Sequence, residues 1–175
     1  MKHVLILSAS PRKNGNSDIL CRQFMRGAQD AGHRTELISL YDKSTEFCRA
    51  CYACFTTGRC VLRDDMEEIL DKMQQADVIV VATPTYFYSM KGKLKTVIDR
   101  FLPRWQKLGG HDVYLIITGH DRKEGLKLVE EELNTIFTGL GNQVKGCIWG
   151  EEVWQKGEVE NTKAMDEAYQ AGSHI

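Results

Sequence analysis

Several features are missing from this 175-residue chain, and each absence closes a class of function. No apolar run approaches the roughly 20 residues that a membrane-spanning helix needs. Nor does a charged and apolar leader precede the first strand-like run. A cytoplasmic protein with no membrane partner is therefore expected. Like charges never gather into a block or stripe: 23 lysines and arginines stand against 24 aspartates and glutamates, for a formal net charge of -1. Such a surface recruits neither nucleic acid nor an anionic membrane. Neither G-x-x-x-x-G-K-S/T nor G-x-G-x-x-G occurs, so a P-loop nucleotidase and a dinucleotide fingerprint are both unsupported. There is no internal repeat and no low-complexity tract. With 42% hydrophobic residues at this length, one domain over 1–175 with a sizeable core is expected.

What is present is an alternation of strands and helices. Val4–Leu7 is a short apolar run, followed at once by the polar loop Ser8-Ala9-Ser10-Pro11-Arg12-Lys13-Asn14-Gly15-Asn16-Ser17. Leu20, Phe24, Ala28 and Ala31 then recur at helical spacing, with Ser17 as expected N-cap and Gly32 as stop. Amides at a helix N-terminus have no intrahelical partner and carry the positive end of the dipole, so this order builds an anion seat. Ser8, Ser10, Asn16 and Ser17 can add side-chain hydrogen bonds to it. Further strands are expected at Thr35–Leu40, an edge because Glu36 interrupts it, and at Ala76–Thr83, central because Val78–Ala82 is continuously apolar. Val113–Thr118 and Val144–Trp149 complete five. Helices are expected from Asp64, where Asp64 and Glu67 have capping-box spacing, to Gln75; over Leu94–Leu102; over Lys123–Leu140; and over Asn161–Ala171 within a C-terminal extension, 150–175.

This pattern predicts an α/β fold: a doubly wound five-stranded parallel sheet of order 2-1-3-4-5, with helices on both faces. Its ligand crevice lies beyond the carboxyl ends of strands 1 and 3. The loops that reach the crevice are the anion loop, the aromatic Pro84-Thr85-Tyr86-Phe87-Tyr88, and Thr118-Gly119-His120. A phosphate seat beside an aromatic slot suits a phosphorylated planar ring.

Three linked motifs then carry a resemblance. They are the Ser-x-Ser-Pro-Arg-Lys-x-Gly-Asn-Ser loop, the run Pro-Thr-Tyr-x-Tyr-x-Met-x-x-x-Leu-Lys-x-x-x-Asp-Arg at 84–100, and the Cys51-x-x-Cys54, Cys60 and Asp64-Asp65-Met66 stretch. Together they resemble the NADPH-dependent FMN reductase branch of the flavodoxin-like superfamily over residues 1 to about 150. The resemblance implies bound FMN. Its phosphate would meet Ser10, Arg12, Asn16 and Ser17, and its ring and ribityl chain would lie along Pro84, Thr85, Tyr86, Phe87 and Tyr88. Thr118 and Gly119 would border the other side of the ring. It further implies NAD(P)H as co-substrate, a small-molecule electron acceptor such as a quinone, flavin, nitro or azo compound, and a homodimer or homotetramer. The alternative is an electron carrier without nicotinamide activity, although carriers dock through strong fields that a net charge of -1 does not supply.

Among single residues, Arg12 is expected to pair with the phosphate, its fork suiting bidentate contact, and His120 is a candidate proton donor. Cys21 and Cys147 read as core, and Asp99-Arg100 as a structural pair. The long loop 41–63 holds Cys48, Cys51, Cys54 and Cys60, spaced C-x2-C-x2-C-x5-C. Structural zinc usually takes two separated pairs of ligands, whereas stepped C-x2-C spacing is the habit of cubane sites. The spacing resembles that of iron-sulfur flavoproteins, which implies a 4Fe–4S cluster. Clusterless FMN reductases resemble the same stretch, with the four cysteines as free thiols over the flavin. Both readings stand at this point.

Overall fold

Strands and helices alternate through residues 1–175 of the computed structural model. The strands are β1 (His3–Ser8), β2 (Arg34–Ser39), β3 (Val78–Tyr86), β4 (Ser89–Met90), β5 (Asp112–Thr118) and β6 (Gln143–Gly150). The helices are α1 (Asn16–Asp30), α2 (Ala53–Thr57), α3 (Met66–Gln75), α4 (Gly92–Asp99), α5 (Lys123–Gly139) and α6 (Ala164–Ser173). Five strands run parallel in the order β2-β1-β3-β5-β6, with β2 at the edge. The expected doubly wound order therefore stands. The five-strand count needs one correction: β3 overruns the sheet and folds back as the two-residue β4, pairing Tyr86 with Ser89 across a tight turn.

Because successive residues of a strand face opposite ways, the continuous apolar strands feed two cores. Leu5, Leu7, Ile79, Val81, Leu115 and Ile117 pack under α3, α4 and α5, chiefly against Ile69, Leu94, Val97, Leu133 and Phe137. Val4, Ile6, Val78, Val80 and Ile116 pack under α1 and α6, against Leu20, Phe24, Ala28 and Ala168. The segment expected as a C-terminal extension thus supplies half of one layer. Helices α1 and α6 cross with their backbones in contact: a Cβ on Gly27 would stand 2.1 Å from the Tyr169 carbonyl oxygen, and one on Gly172 would stand 2.1 Å from that of Phe24.

Local details depart from the pattern for identifiable reasons. Helix α1 is capped by Gly15 in extended conformation, and Ser17, expected as the cap, lies buried inside the first turn. Ala31, expected on the buried face, is exposed beyond the helix end. Helix α3 starts behind Asp65, which makes no side-chain cap, but Asp64 Oδ1 accepts the Met66 amide at 3.2 Å while the same carboxylate pairs with Arg100. The Asp99-Arg100 pair does not form, since consecutive residues at a helix end diverge; Asp99 pairs with Lys95 and Arg100 with Asp64. Cys21 is buried as expected, while Cys147 is only half-buried.

Candidate functional site

The loops after β1, β3 and β5 meet at the carboxyl end of the sheet. The first turn of α1 presents the amides of Asn16, Ser17 and Asp18 with no backbone acceptor. Gly15 is required there, because a Cβ would fall 2.7 Å from Ser10 Oγ and 2.9 Å from the Arg12 carbonyl oxygen. Ser10 Oγ donates to that same carbonyl at 2.9 Å. Ser17 Oγ and Thr118 Oγ1 share a hydrogen bond of 2.7 Å, so the first and third loops are joined directly.

A fourth segment, which the sequence reading missed, closes over this loop. Both terminal nitrogens of Arg12 donate to the Trp154 carbonyl at 3.2 Å. Asn16 Nδ2 donates to the Gln155 carbonyl at 2.9 Å, and its Oδ1 accepts from the amides of Gly157 and Val159. Glu158 accepts from the amides of Trp154 and Gln155, and these bonds hold its carboxyl below the usual range. The available signal was Trp154 itself, an aromatic four residues past the end of β6 on the ligand side of the sheet.

Between the loops lies a cleft of about 500 Å³. One wall is the β3–β4 hairpin from Pro84 to Tyr88; the other is Thr118 to Asp121 with Val153 and Trp154; Arg12 and Asn16 close one end. The exposed His120 packs edge-on against Trp154, ring centroids 5.6 Å apart. Gly119 leaves the cleft its width, since a Cβ would meet Leu126 at 2.5 Å and Thr85 at 3.3 Å. Lys91 Nζ sits 3.8 Å over the Tyr86 ring. Phe87 and Tyr88 form the hairpin turn with φ of 49° and 61°. Both are left-handed positions that Asn-Gly ordinarily fills, and each costs a bulky residue about 1–3 kcal/mol. Phe87 is nevertheless 97% exposed. Thr85 Oγ1 is buried with no hydrogen-bond partner. The cleft thus offers Arg12 and Asn16 at one end, with the free first turn of α1 beside them, apolar walls and an unmet hydroxyl, a set that fits a phosphorylated planar ring.

Most residues expected at the site come together here: Arg12, Asn16, Pro84, Thr85, Tyr86, Phe87, Tyr88, Thr118, Gly119 and His120 line the cleft, and Ser17 touches Thr118. Ser8 and Ser10 do not line it. They line a second pocket with Arg22 and Tyr41, which shares Arg12 with the cleft.

The cysteines form a separate pocket that shares no lining residue with the cleft. Left-handed Ala50 and Tyr52 turn the chain so that Cys48, Cys51, Cys54 and Cys60 face one space, all as free thiols. Burial pushes the Cys54 thiol up, as do its three neighbours Cys60, Cys51 and Cys48. No three ligating side chains converge as a single-ion site would require. A cubane spreads its thiolates around a cage and does not need such a point. The pocket's inner wall is Arg100, whose side chain is 1% exposed. Its terminal nitrogens donate to both carboxylate oxygens of Asp64 at 2.8 and 3.0 Å and to the Glu46 carbonyl at 2.7 Å. Burial opposes ionisation of Asp64, but hydrogen bonds from Arg100 and from the amides of Glu46 and Met66 outweigh it and hold the carboxyl below its ordinary range.

The profile of a family described as NADPH-dependent FMN reductase matches residues 2–152. An iron-sulfur flavoprotein of Methanocaldococcus jannaschii is 34% identical over 140 residues, which is 77% of this chain and 70% of that one. A protein of Bacillus subtilis named as an NAD(P)H-dependent FMN-containing oxidoreductase is 28% identical over 159 residues, 85% of this chain and 84% of that one. For three further iron-sulfur flavoproteins the similarity spans only 46%, 52% and 49% of their length. Among solved structures, an NAD(P)H:quinone oxidoreductase from Methanothermobacter marburgensis superposes with a TM-score of 0.77 at 20% identity, covering 98% of this chain and 96% of that one.

Proposed function

The chain belongs to the NADPH-dependent FMN reductase family, and we propose that it uses FMN to carry electrons from NAD(P)H to a small planar acceptor, such as a quinone, a flavin, or a nitro or azo compound. The cleft carries this reading, with Arg12 and Asn16 at the end next to the unpaired first turn of α1 and the orphan Thr85 hydroxyl in its wall. Bound FMN would supply the redox chemistry, taking up a hydride equivalent from one substrate and releasing electrons to the next. The protein's part is to bind, orient and keep water out. The amides of Asn16, Ser17 and Asp18 would hold the phosphate with the positive end of the α1 dipole. Asn16 acts through its main chain, since its side chain is spent on Gln155, Gly157 and Val159. Arg12, already fixed against the Trp154 carbonyl, adds a positive charge at that end. Thr85 would hydrogen-bond the polar edge of the ring, while Tyr86, Tyr88 and Trp154 would supply apolar walls. His120 stands at the open side, where a proton can be given to a reduced acceptor.

Phe87 and Tyr88, exposed at the rim, are the apolar area that a second subunit would cover in a homodimer or homotetramer. A monomer mass in sedimentation equilibrium would overturn that assembly. The functional test is anaerobic: NADH or NADPH should bleach the flavin absorbance of the purified protein, and a quinone added afterwards should restore it. No bleaching by either nucleotide, together with rapid reduction by reduced ferredoxin, would establish the carrier instead.

The cysteine pocket favours a second component, a 4Fe–4S cluster held by Cys48, Cys51, Cys54 and Cys60. It is supported by four thiols around one space with a buried guanidinium behind them. Iron and acid-labile sulfide near four per chain in anaerobically prepared protein is the expected result. A flavin spectrum alone with four titratable thiols would leave the pocket as free cysteines.

A further inference from the structure

Buried arginines normally place every N–H group, because an unmet donor out of water costs about 1–3 kcal/mol and more when charged. Arg100 does not. Three hydrogen bonds use three of the four N–H groups on its terminal nitrogens, and Nε is buried with no partner in the protein. The guanidinium lines the same pocket as the four cysteines, and Cys60 is the one of them that helps hold its pKa up. Asp64 and the Glu46 carbonyl lock the side chain from behind, so it cannot turn to satisfy Nε elsewhere. We propose that Arg100 is a positioning residue for the cysteine pocket, its unpaired Nε–H donating to an anionic sulfur centre anchored at Cys60.

This rests on the cluster reading above and adds to it a consequence for the reduction potential. A hydrogen bond to a cluster sulfur favours the more negative, reduced form, so its removal lowers the potential. Arg100 and Asp64 form a neutral ion pair, and a buried pair can be exchanged for apolar residues of similar volume without loss of fold. The double substitution Arg100→Met/Asp64→Leu therefore deletes the donor and leaves the local net charge unchanged. Arg100→Lys tests the same point while keeping a cation against Asp64, because an ammonium has no Nε–H at that position.

The experiment compares anaerobically purified wild type, both variants and the control Arg104→Lys. It measures iron and sulfide content, flavin content, and the cluster midpoint potential by titration followed with electron paramagnetic resonance. Resonance Raman spectra of the wild type in light and heavy water accompany these, since an N–H···S bond makes the iron–sulfur stretch sensitive to exchange. Iron-replete Arg100 variants should show a potential lowered by at least a tenfold change in the one-electron equilibrium, about 59 mV, with the control unchanged. An unchanged potential in either iron-replete variant, or an exchange-insensitive wild-type stretch, overturns the role of Arg100 and leaves the cluster standing. Wild type without iron overturns both. If neither variant folds, the wild-type exchange shift decides.

Discussion

A buried hydroxyl without a partner costs about 1–3 kcal/mol, and Thr85 bears that cost in the wall of the cleft. Thr85→Val removes the hydroxyl and keeps the shape, so the apo protein should melt at or above the wild-type temperature. FMN should bind about tenfold more weakly, the value of one net hydrogen bond near 1.4 kcal/mol. Fluorescence titration with FMN checks this, and undiminished affinity would remove Thr85 from the ring's edge. Asp64 makes a prediction in pH. Its folded pKa lies below the ordinary value, so its stabilising share is complete above about pH 4 and is lost as the pH falls through the lower folded pKa. Asp64→Asn should lose about 3–5 kcal/mol at neutral pH, having stranded a buried guanidinium, and its stability should fall less steeply below pH 4. Urea melts across that range report both.

At the scale of elements, the α1–α6 crossing has no room for a methyl group, because a Cβ on either glycine would meet a backbone carbonyl. Gly172→Ala should therefore cost about 1–3 kcal/mol, and at about 2–4 °C per kcal/mol for a chain of this size the loss is visible in a thermal melt. The β3–β4 turn predicts the opposite sign. Phe87→Gly relieves a left-handed position while giving up a side chain that is 97% exposed in the single chain, so the unassociated apo monomer should gain about 1 kcal/mol. The sheet order was legible because the strands are continuous apolar runs with helical spacing between them, and the three site loops followed from that order. What was not legible depended on distance. Nothing near Asn16 in sequence announces that its amide will grip a segment some 140 residues later. Asp64 has the local spacing of a cap and does accept the Met66 amide, but nothing near it announces its pairing with Arg100, 36 residues later. The β4 strand escaped because two aromatics at a positive-φ turn contradict the usual turn chemistry.

The whole molecule carries 23 cationic against 24 anionic side chains. Without a directed field, turnover with a neutral quinone should change little between low and high salt, whereas steered docking to a protein partner would slow steeply. One further consequence concerns the order in which the chain is made. The anion loop belongs to the first eighteen residues, yet the side chain that shapes it is held by Gln155, Gly157 and Val159. During synthesis β1 and α1 emerge early, but the cradle at the head of α1 stays unfinished until those residues leave the ribosome. FMN loading is then a late event that waits for residues 155–159, and a nascent chain arrested before residue 150 should hold no flavin.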